Sequence, residues 1–535
     1  YGPEAVQQKL SQAHGNKIER TNNDYLIDNI VKYKRQFEEH SLDVTLVATR
    51  DYSHYEYITL IGSDFEALGN TNLGVDGLHK AEVQQLNNSI TESGNIGYLG
   101  RLSYAFADKY HLTASYRRDG SSVFGSERKW GNFPSMGIAW TASEENFLSA
   151  NDFIDYLKLK ASYGKNGNQA IGPYTTLTTV STGRESGYMY EFADNPSTIL
   201  YGMDISTLGN PELGWETTTA FNAGFNSAFM NNRISLDLDF YFSKTTDQLF
   251  VRRIPIMTGF STIRSSMGQV NNRGIELNLR TTNVQTQNLT WESNVTFWQN
   301  RNILEELYGD GKDDISNRLF IGKSLGAIYG YEKVGIVQEE DTEYMDMTGA
   351  KPGDVKFKDL NGDGDLTAEF DRKILGYEKP DFRLNLSNTL NYKGFRLYAL
   401  IQGIFGGGQD NYYMLDNLYA FRILQKPGQN QYDHPWWTPE NKNNTYPSPR
   451  YFGNRFLGLQ SRTFLRIQDV TLSYNFENQP WVQNLNLKSL RLYAGIRNLY
   501  TFTGWDGGDP EEGEQAMSGT YPVPSTYSVG LDISF

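Results

Sequence analysis

STYSVGLDISF, residues 525–535, shows in eleven residues how most of the chain is built. Successive side chains of an extended chain point to opposite sides, so Tyr527, Val529, Leu531, Ile533 and Phe535 share one face. Thr526, Ser528, Gly530, Asp532 and Ser534 share the other. One face is apolar to the last residue while the other is polar throughout. The same alternation returns in SLRLYAGIRN from Ser489, where Leu490, Leu492, Ala494 and Ile496 oppose Arg491, Tyr493, Gly495 and Arg497. It returns in GFRLYALIQG from Gly394, in RISLDLDFYF from Arg233, in RGIELNLR from Arg273 and in LGRLSYAF from Leu99. Strands dominate the chain.

Over the whole chain, strands are expected near 25–38, 40–58, 92–106, 110–118, 131–141, 155–164, 214–228, 232–250, 262–283, 287–299, 315–320, 326–337, 380–391, 394–405, 461–476, 488–500 and 523–535, about 17 in all. The stretch 171–192 is a candidate for further strands inside a loop. Connections alternate between short ones, such as 107–109, 229–232 and 391–394, and long ones, such as 299–325, 338–380, 406–460 and 501–522. A soluble sandwich has no reason to sort its loops by end, whereas a membrane barrel has short periplasmic turns and long outer loops. Counting back from a last strand that descends to the periplasm, the first expected strand also descends. A barrel of even strand number would begin with an ascending strand, so an odd number is expected upstream.

Composition bounds the function. The 535 residues carry a formal charge of −14 without a strongly basic stretch, which disfavours nucleic acid as a partner. There is no cysteine, hence no disulfide framework, thiolate nucleophile or thiolate metal site. Mean hydropathy is −0.56, yet 14% of residues are aromatic. No apolar run approaches the ~18 residues of a helical span. The opening YGPEAVQQKLSQAHG lacks the apolar core of a signal peptide, and a chain starting on Tyr is expected to be part of a longer polypeptide.

A barrel reconciles polar hydropathy with aromatic richness. Hydrocarbon tolerates no unpaired backbone N–H or C=O, so a spanning sheet must close on itself, and only its outer face meets lipid. Half of every strand can stay polar. On this reading Arg383, Arg396, Arg491 and Arg497 face the lumen. In the alternative, a large soluble all-β protein, they would be solvent-exposed sheet positions.

Seven blocks, in order, resemble the SusC/RagA-type TonB-dependent outer-membrane transporters. They are GYLGRLSYAFADKYHLTASYRRDGSSVFGSERKWGNFPSMGIAW (97–140), LKLKASYGKNGNQAIGPY (157–174), NRGIELNLR (272–280), GAIYGYEKVGI (326–336), GDVKFKDLNGDGDLT (353–367), RTFLRIQDVTLSYNF (462–476) and LRLYAGIRNLYTFTGWDGGDPE (490–511). The resemblance runs from about residue 25 to the end. It implies an all-β transmembrane antiparallel barrel of about 22 strands, with about five of them, a plug domain and a TonB box lying upstream. Residues 1–24 are then expected to end a preceding loop and 25–535 to form the C-terminal part of the barrel. It further implies a SusD-like surface lipoprotein as partner, a TonB-type energy transducer, and oligosaccharide or peptide as cargo. Oligosaccharide is the leading expectation and a RagA-type peptide importer the alternative. A passive porin and a surface glycan-binding protein are the competitors from other classes.

Local motifs add candidate sites. DLNGDGD at 359–365 sets Asp359, Asn361, Asp363 and Asp365 at positions 1, 3, 5 and 7 of an oxygen-rich loop with Gly364 at the turn, the pattern a hard cation such as Ca2+ requires. Position 12 is Phe370, so Asp371 is the candidate closing carboxylate; a metal-free turn is the alternative. Such an ion would stiffen a loop. In the longest connection, Tyr412, Tyr413, Trp436 and Trp437 are candidates for stacking on sugars, for packing on the lipoprotein, or for the loop's own core. Phe535 reads as an assembly signal, as the end of the lipid-facing row, or as both. The six scattered histidines and the adjacent carboxylates Glu144 and Glu145 or Glu339 and Glu340 form no catalytic pattern, and no enzyme is expected.

Overall fold

The computed structural model describes residues 14–63, 76–81, 83–148, 151–169, 171–182, 189–191, 199–410, 435–449, 451, 458–476, 479–485, 487–506, 508–512 and 523–535. Fifteen strands form one antiparallel sheet in which each neighbours the next in sequence. They are β1 (His14–Phe37), β2 (His40–Ser63), β3 (Val83–Phe106), β4 (Tyr110–Ser121), β5 (Trp130–Thr141), β6 (Ile154–Asn168), β7 (Glu216–Phe229), β8 (Ile234–Thr246), β9 (Gln269–Gln285), β10 (Leu289–Glu306), β11 (Phe382–Tyr392), β12 (Phe395–Phe405), β13 (Phe464–Asn475), β14 (Ser489–Thr503) and β15 (Thr526–Ser534). The first strand starts at His14, earlier than the expected Tyr25, so residues 14–24 belong to the sheet rather than to a preceding loop. The chain divides into two compact units, Tyr1–Ile138 with Ser162–Ala220 and Thr245–Met267, and Ala139–Ala161 with Phe221–Lys244 and Gly268–Phe535.

Two of the expected strands lie outside this sheet. At 315–320 the Asp314 carboxylate accepts from Asn317 N at 3.0 Å and from Tyr308 Oη at 2.8 Å, and this closes a turn with a single bridge between Asp314 and Leu319. Local side-chain capping has beaten strand pairing there. The stretch 326–337 is extended, but it splits into Ala327–Tyr331, paired with Arg372–Tyr377, and Lys333–Ile336, paired with Val355–Phe357. Its apolar residues serve a loop core. Because the two were an adjacent up-and-down pair, the direction of β1 is unaffected. The expected 262–283 also divides, into Thr262–Ser266 on a loop hairpin and β9, with Gly268 at φ +93° between them. Strands were also expected within 171–192, and Thr179–Thr182 pairs there with Met203–Thr207.

Loop lengths sort by end. Turns 38–39, 107–109, 230–233, 286–288 and 393–394 alternate with connections 64–82, 169–215, 247–268, 307–381 and 406–463. The connection 122–129 is short for its side, and 142–153 and 476–488 are long for theirs. Among the described strands the apolar row is left uncovered, with Val529 80% and Phe535 79% exposed. A soluble sheet would bury such a row; lipid is the solvent that suits it.

A bulge in β13 decides which of its side chains reach the polar face. The register against β14 shifts between Ile467 and Asp469, so Gln468 has no partner opposite. The apolar row therefore passes from Leu465 and Ile467 to Val470 and Leu472, while Arg466 and Asp469 both come to the polar face.

Candidate functional site

The polar face of β12 to β15 encloses a cavity of about 560 Å³ whose lining includes Arg396, Tyr398, Asp469, Arg491, Tyr493 and Arg497. Arg491 Nε donates to Asp532 Oδ2 at 2.9 Å, and its guanidinium lies 5.6 Å from the Tyr493 ring centre. Arg497 reaches Asp469 at 3.5 Å, and Asp469 also accepts from Thr471 Oγ1 at 2.8 Å. Three of the four arginines read as lumen-facing thus share one concave surface. Arg383 is on the same face of β11 but lies over the Trp298 ring at 5.8 Å. Elsewhere on this face, Lys160 pairs with Asp239 at 2.8 Å, Asn226 donates to Asp237 at 2.6 Å, and Tyr241 donates to Asn300 at 3.0 Å. The surface offers donors, acceptors and aromatic rings, which suits transient polar binding.

On the long-loop side, connections 307–381 and 406–463 are knit into one assembly with its own core. Ile336, Val355, Phe357, Trp437 and Tyr451 are buried together, with Tyr331 and Leu366 packed against them. Trp437 is 6% exposed, and its indole N–H donates to Gln338 Oε1 at 2.9 Å. Gln338 Nε2 in turn donates to the Asn443 carbonyl at 3.0 Å. Ser448 N donates to the Gly353 carbonyl at 2.7 Å, which ties the two connections at their middle. Lys333 donates to the Thr445 carbonyl, and burial brings its amine down to about 8. Lys442 reaches Glu339 at 2.8 Å and Glu340 at 2.9 Å across the rim.

The tryptophans expected to bind therefore separate. Trp437 is enclosed by the loop core and has no ring face to offer a ligand, which corrects the stacking expectation for it. Trp436 is half-buried, edge-on to Tyr446 at 5.9 Å. Tyr412 and Tyr413 lie outside the described residues.

The acidic loop folds as a tight turn. Gly362 N and Gly364 N donate to the two oxygens of Asp359 at 2.6 and 2.9 Å, and Asp365 N donates to Asp363 Oδ1 at 2.9 Å. Gly364 sits at φ +89°, a conformation that a side chain would strain. Asn361 donates to Asp363 Oδ2 at 2.7 Å. Asp371 is fully buried and accepts from Leu360 N at 2.8 Å and Thr367 N at 2.7 Å. Those backbone donors hold its carboxyl below the ordinary carboxylate range. Among the described residues, no three His, Asp or Glu side chains converge as a metal cage. The donor set is nonetheless all oxygen, and each carboxylate oxygen keeps a second lone pair.

Sequence reasoning missed a buried charge cluster. Arg466 is 3% exposed; it meets Asp509 at 2.8 and 2.6 Å, Glu511 at 3.2 Å and Thr501 Oγ1 at 2.9 Å, with the Phe464 ring 4.7 Å away. Arg462 donates to the Pro510 carbonyl at 2.8 Å. Together they fasten the start of the 504–525 connection to β13 and β14. The available signal was RTFLR, two arginines four apart entering a strand, opposite the acidic run DGGDPEE.

Comparison with known proteins bears on this architecture. Residues 6–499 match the TonB dependent receptor-like, beta-barrel family. TonB-dependent receptor P3 of Formosa agariphila is 31% identical over 484 residues, covering 85% of this chain and 47% of that protein. TonB-dependent receptor SusC of Bacteroides thetaiotaomicron is 27% identical, covering 85% of this chain and 45% of its own length. The chain thus spans about half the length of the curated relatives it matches. The RagAB peptide transporter structure superimposes with a TM-score of 0.76 at 24% identity, over all of this chain and 58% of that one, a likeness of fold. The exposed apolar row, the polar opposite face and the loops sorted by end agree with the match, and the chain belongs to the TonB-dependent receptor-like β-barrel family of the outer membrane.

Proposed function

We propose that this chain contributes the barrel of an energised importer that carries oligosaccharides across the outer membrane. The observation that carries the reading is the polar surface around Arg396, Arg491, Arg497, Tyr398 and Tyr493, in a chain whose relatives are TonB-dependent receptors. Hydroxyl-rich cargo is recognised by such a mixture of charged donors, acceptors and aromatic faces. The resemblance to the SusC/RagA type supports a SusD-like surface lipoprotein over the outer loops and a TonB-type transducer acting from the periplasm. Peptide cargo is the second reading, favoured by the fold likeness to the RagAB peptide transporter.

The test is uptake by cells that carry the complete protein with its lipoprotein. Fluorescently labelled oligosaccharide and peptide pools are supplied with and without an uncoupler of the proton gradient. Energised import predicts accumulation of one pool that the uncoupler abolishes. Uptake that survives the uncoupler identifies a passive pore, and surface retention without entry identifies a glycan-binding protein.

Three local roles accompany this reading. Trp436 supplies an aromatic contact for sugar or lipoprotein, so Trp436→Ala should weaken assembly or uptake while leaving the loop folded. Ca2+ among Asp359, Asn361, Asp363, Asp365 and Asp371 would stiffen the outer loop after drawing the carboxylates inward. A loop melting point identical in Ca2+ and in chelator removes the ion. Phe535 acts as an assembly signal, and normal insertion after its deletion removes that role.

A further inference from the structure

The apolar face of β2, β3 and β4 has a sharp upper boundary. Rising from the short turn, it presents Leu42, Val44, Leu46 and Ala48 on β2, and the cross-strand residues Tyr104, Leu102, Gly100 and Tyr98 on β3. On β4 it continues through Leu112, Ala114 and Tyr116. The next positions are Arg50, opposite Ile96, and Arg118, opposite Tyr98. Ten residues above His40, at ~3.3 Å per residue and ~40° tilt, Arg50 stands ~25 Å above the lower rim, the height of the apolar band of an outer-membrane barrel. Both guanidiniums are exposed on the lipid-facing side where hydrocarbon gives way to headgroups.

Aromatic rings lie beside them at the same heights, Tyr98 level with Arg118 and Trp130 against Gly120, level with Arg50. Tyr98 stacks on Trp130 with centroids 6.4 Å apart, and Arg118 lies 5.0 Å over the indole. The indole can lie across β4 because residue 120 is glycine: a Cβ there would meet Trp130 at 2.9 Å. Beside it a cavity of about 280 Å³ is lined by Arg50, Tyr52, Ile96, Lys129 and Trp130. Two acids stand near it: Asp51, which also lines the cavity and accepts from Asn95 Nδ2 at 2.8 Å, and Glu92, which is engaged by Tyr52 Oη at 2.6 Å and His54 Nδ1 at 3.0 Å. Among the described residues no ion pair is formed by Arg50, Arg118 or Lys129.

We propose that this rim holds the headgroup of one phosphorylated outer-leaflet lipid. The phosphate oxygens meet Arg50 and Arg118, the glycerol or sugar portion rests on Trp130 and Tyr98, and an acyl chain follows the aliphatic column below. A water-exposed cation pair would not need an aromatic shelf, a glycine that admits it and a cavity beside the indole.

The experiment uses the complete protein in nanodiscs containing equal parts phosphatidylglycerol and phosphatidylcholine, with retained lipid read by native mass spectrometry. Wild type should keep one phosphatidylglycerol in preference to phosphatidylcholine by about 25-fold, since each of the two arginines near the membrane surface contributes on the order of a factor of five. Arg50→Gln with Arg118→Gln should bring the ratio near unity, while Arg101→Gln, on the opposite face of β3, should leave it unchanged. Indifference of wild type to headgroup overturns the proposal, and that arm needs no variant to fold. Equal retention by the double variant, shown to be folded by its heat-modifiable mobility on gels, overturns it as well.

Discussion

The sheet and the outer-loop assembly are both β structure, yet they are stabilised in opposite ways. On the sheet, Val529 and Tyr527 stand exposed with polar residues behind them, so no apolar core lies between the two faces. In the assembly, Ile336, Val355, Phe357 and Trp437 are almost wholly buried, as in a small soluble domain. The sheet depends on continuous backbone pairing and on lipid, the assembly on packing against itself. Substitutions in the two regions should therefore report to different solvents.

The largest separation is expected from Trp437→Ala. Truncating a buried tryptophan costs about 3 to 5 kcal/mol, and here it also orphans Gln338 Oε1. Hydrogen exchange should become fast through 333–357 and 435–449 while the strands of the sheet stay protected and the barrel still migrates as folded on unheated gels. Simultaneous loss of both would mean that the assembly and the sheet are one cooperative body. Next comes Val529→Arg, about 13 Å above the end of β15 at ~3.3 Å per residue and ~40° tilt. A cation near mid-bilayer should cost about 2 to 4 kcal/mol in lipid-refolding titrations, whereas on a water-facing sheet it would change little. Unchanged stability in bilayers would remove the lipid-facing assignment of that row.

Acid should act on the assembly first. Asp371 and Asp341 titrate below the ordinary carboxylate range, the former held by backbone donors from Thr367 and Leu360 and the latter by the Gln338 amide and Lys356. A depressed folded-state value means that the unfolded loop binds protons more readily, so stability is complete at neutral pH and falls as pH drops through the carboxylate range. Asp371→Ala should remove its own share of that dependence and leave that of Asp341, while costing about 1 to 3 kcal/mol at neutral pH, because two buried backbone N–H groups lose their acceptor. Proteolysis of the loop as a function of pH measures both effects.

Period-two alternation carried most of the sheet from the sequence, because every strand faces two solvents and must repeat its polarity at every second residue. It failed where another interaction took over the same residues. At 326–337 the apolar positions were real, but their partners came from 355–357, 372–377 and 437, at separations that periodicity does not encode. At 315–320 the Asp314 side chain replaced strand pairing with a turn. The arginines of the polar face were legible because each sits at an alternating position; Arg466 was not, since the bulge at Gln468 shifts the phase by one residue and its acids lie beyond the next strand. Trp436 and Trp437 are adjacent in sequence and identical in chemistry, and only tertiary packing sends one into the core.

The smallest effect is expected at the solvated rim of the assembly. Lys442 bridges Glu339 and Glu340 at 2.8 and 2.9 Å, distances as short as those in the buried Arg466 cluster, and it joins the same two connections that Trp437 joins. Short distance alone would rank it with the cluster. All three side chains are solvated, however, so water and salt screen the attraction, and fixing three flexible side chains offsets what remains. Lys442→Ala should leave the loop's melting point and its hydrogen exchange unchanged within error at physiological salt. Arg466→Ala, with comparable distances but with the guanidinium and Asp509 both buried, should strand Asp509 as a buried unpaired charge and release the 504–525 connection to protease. If the two variants behaved alike, burial would not be the variable that governs charge pairs on this side of the protein.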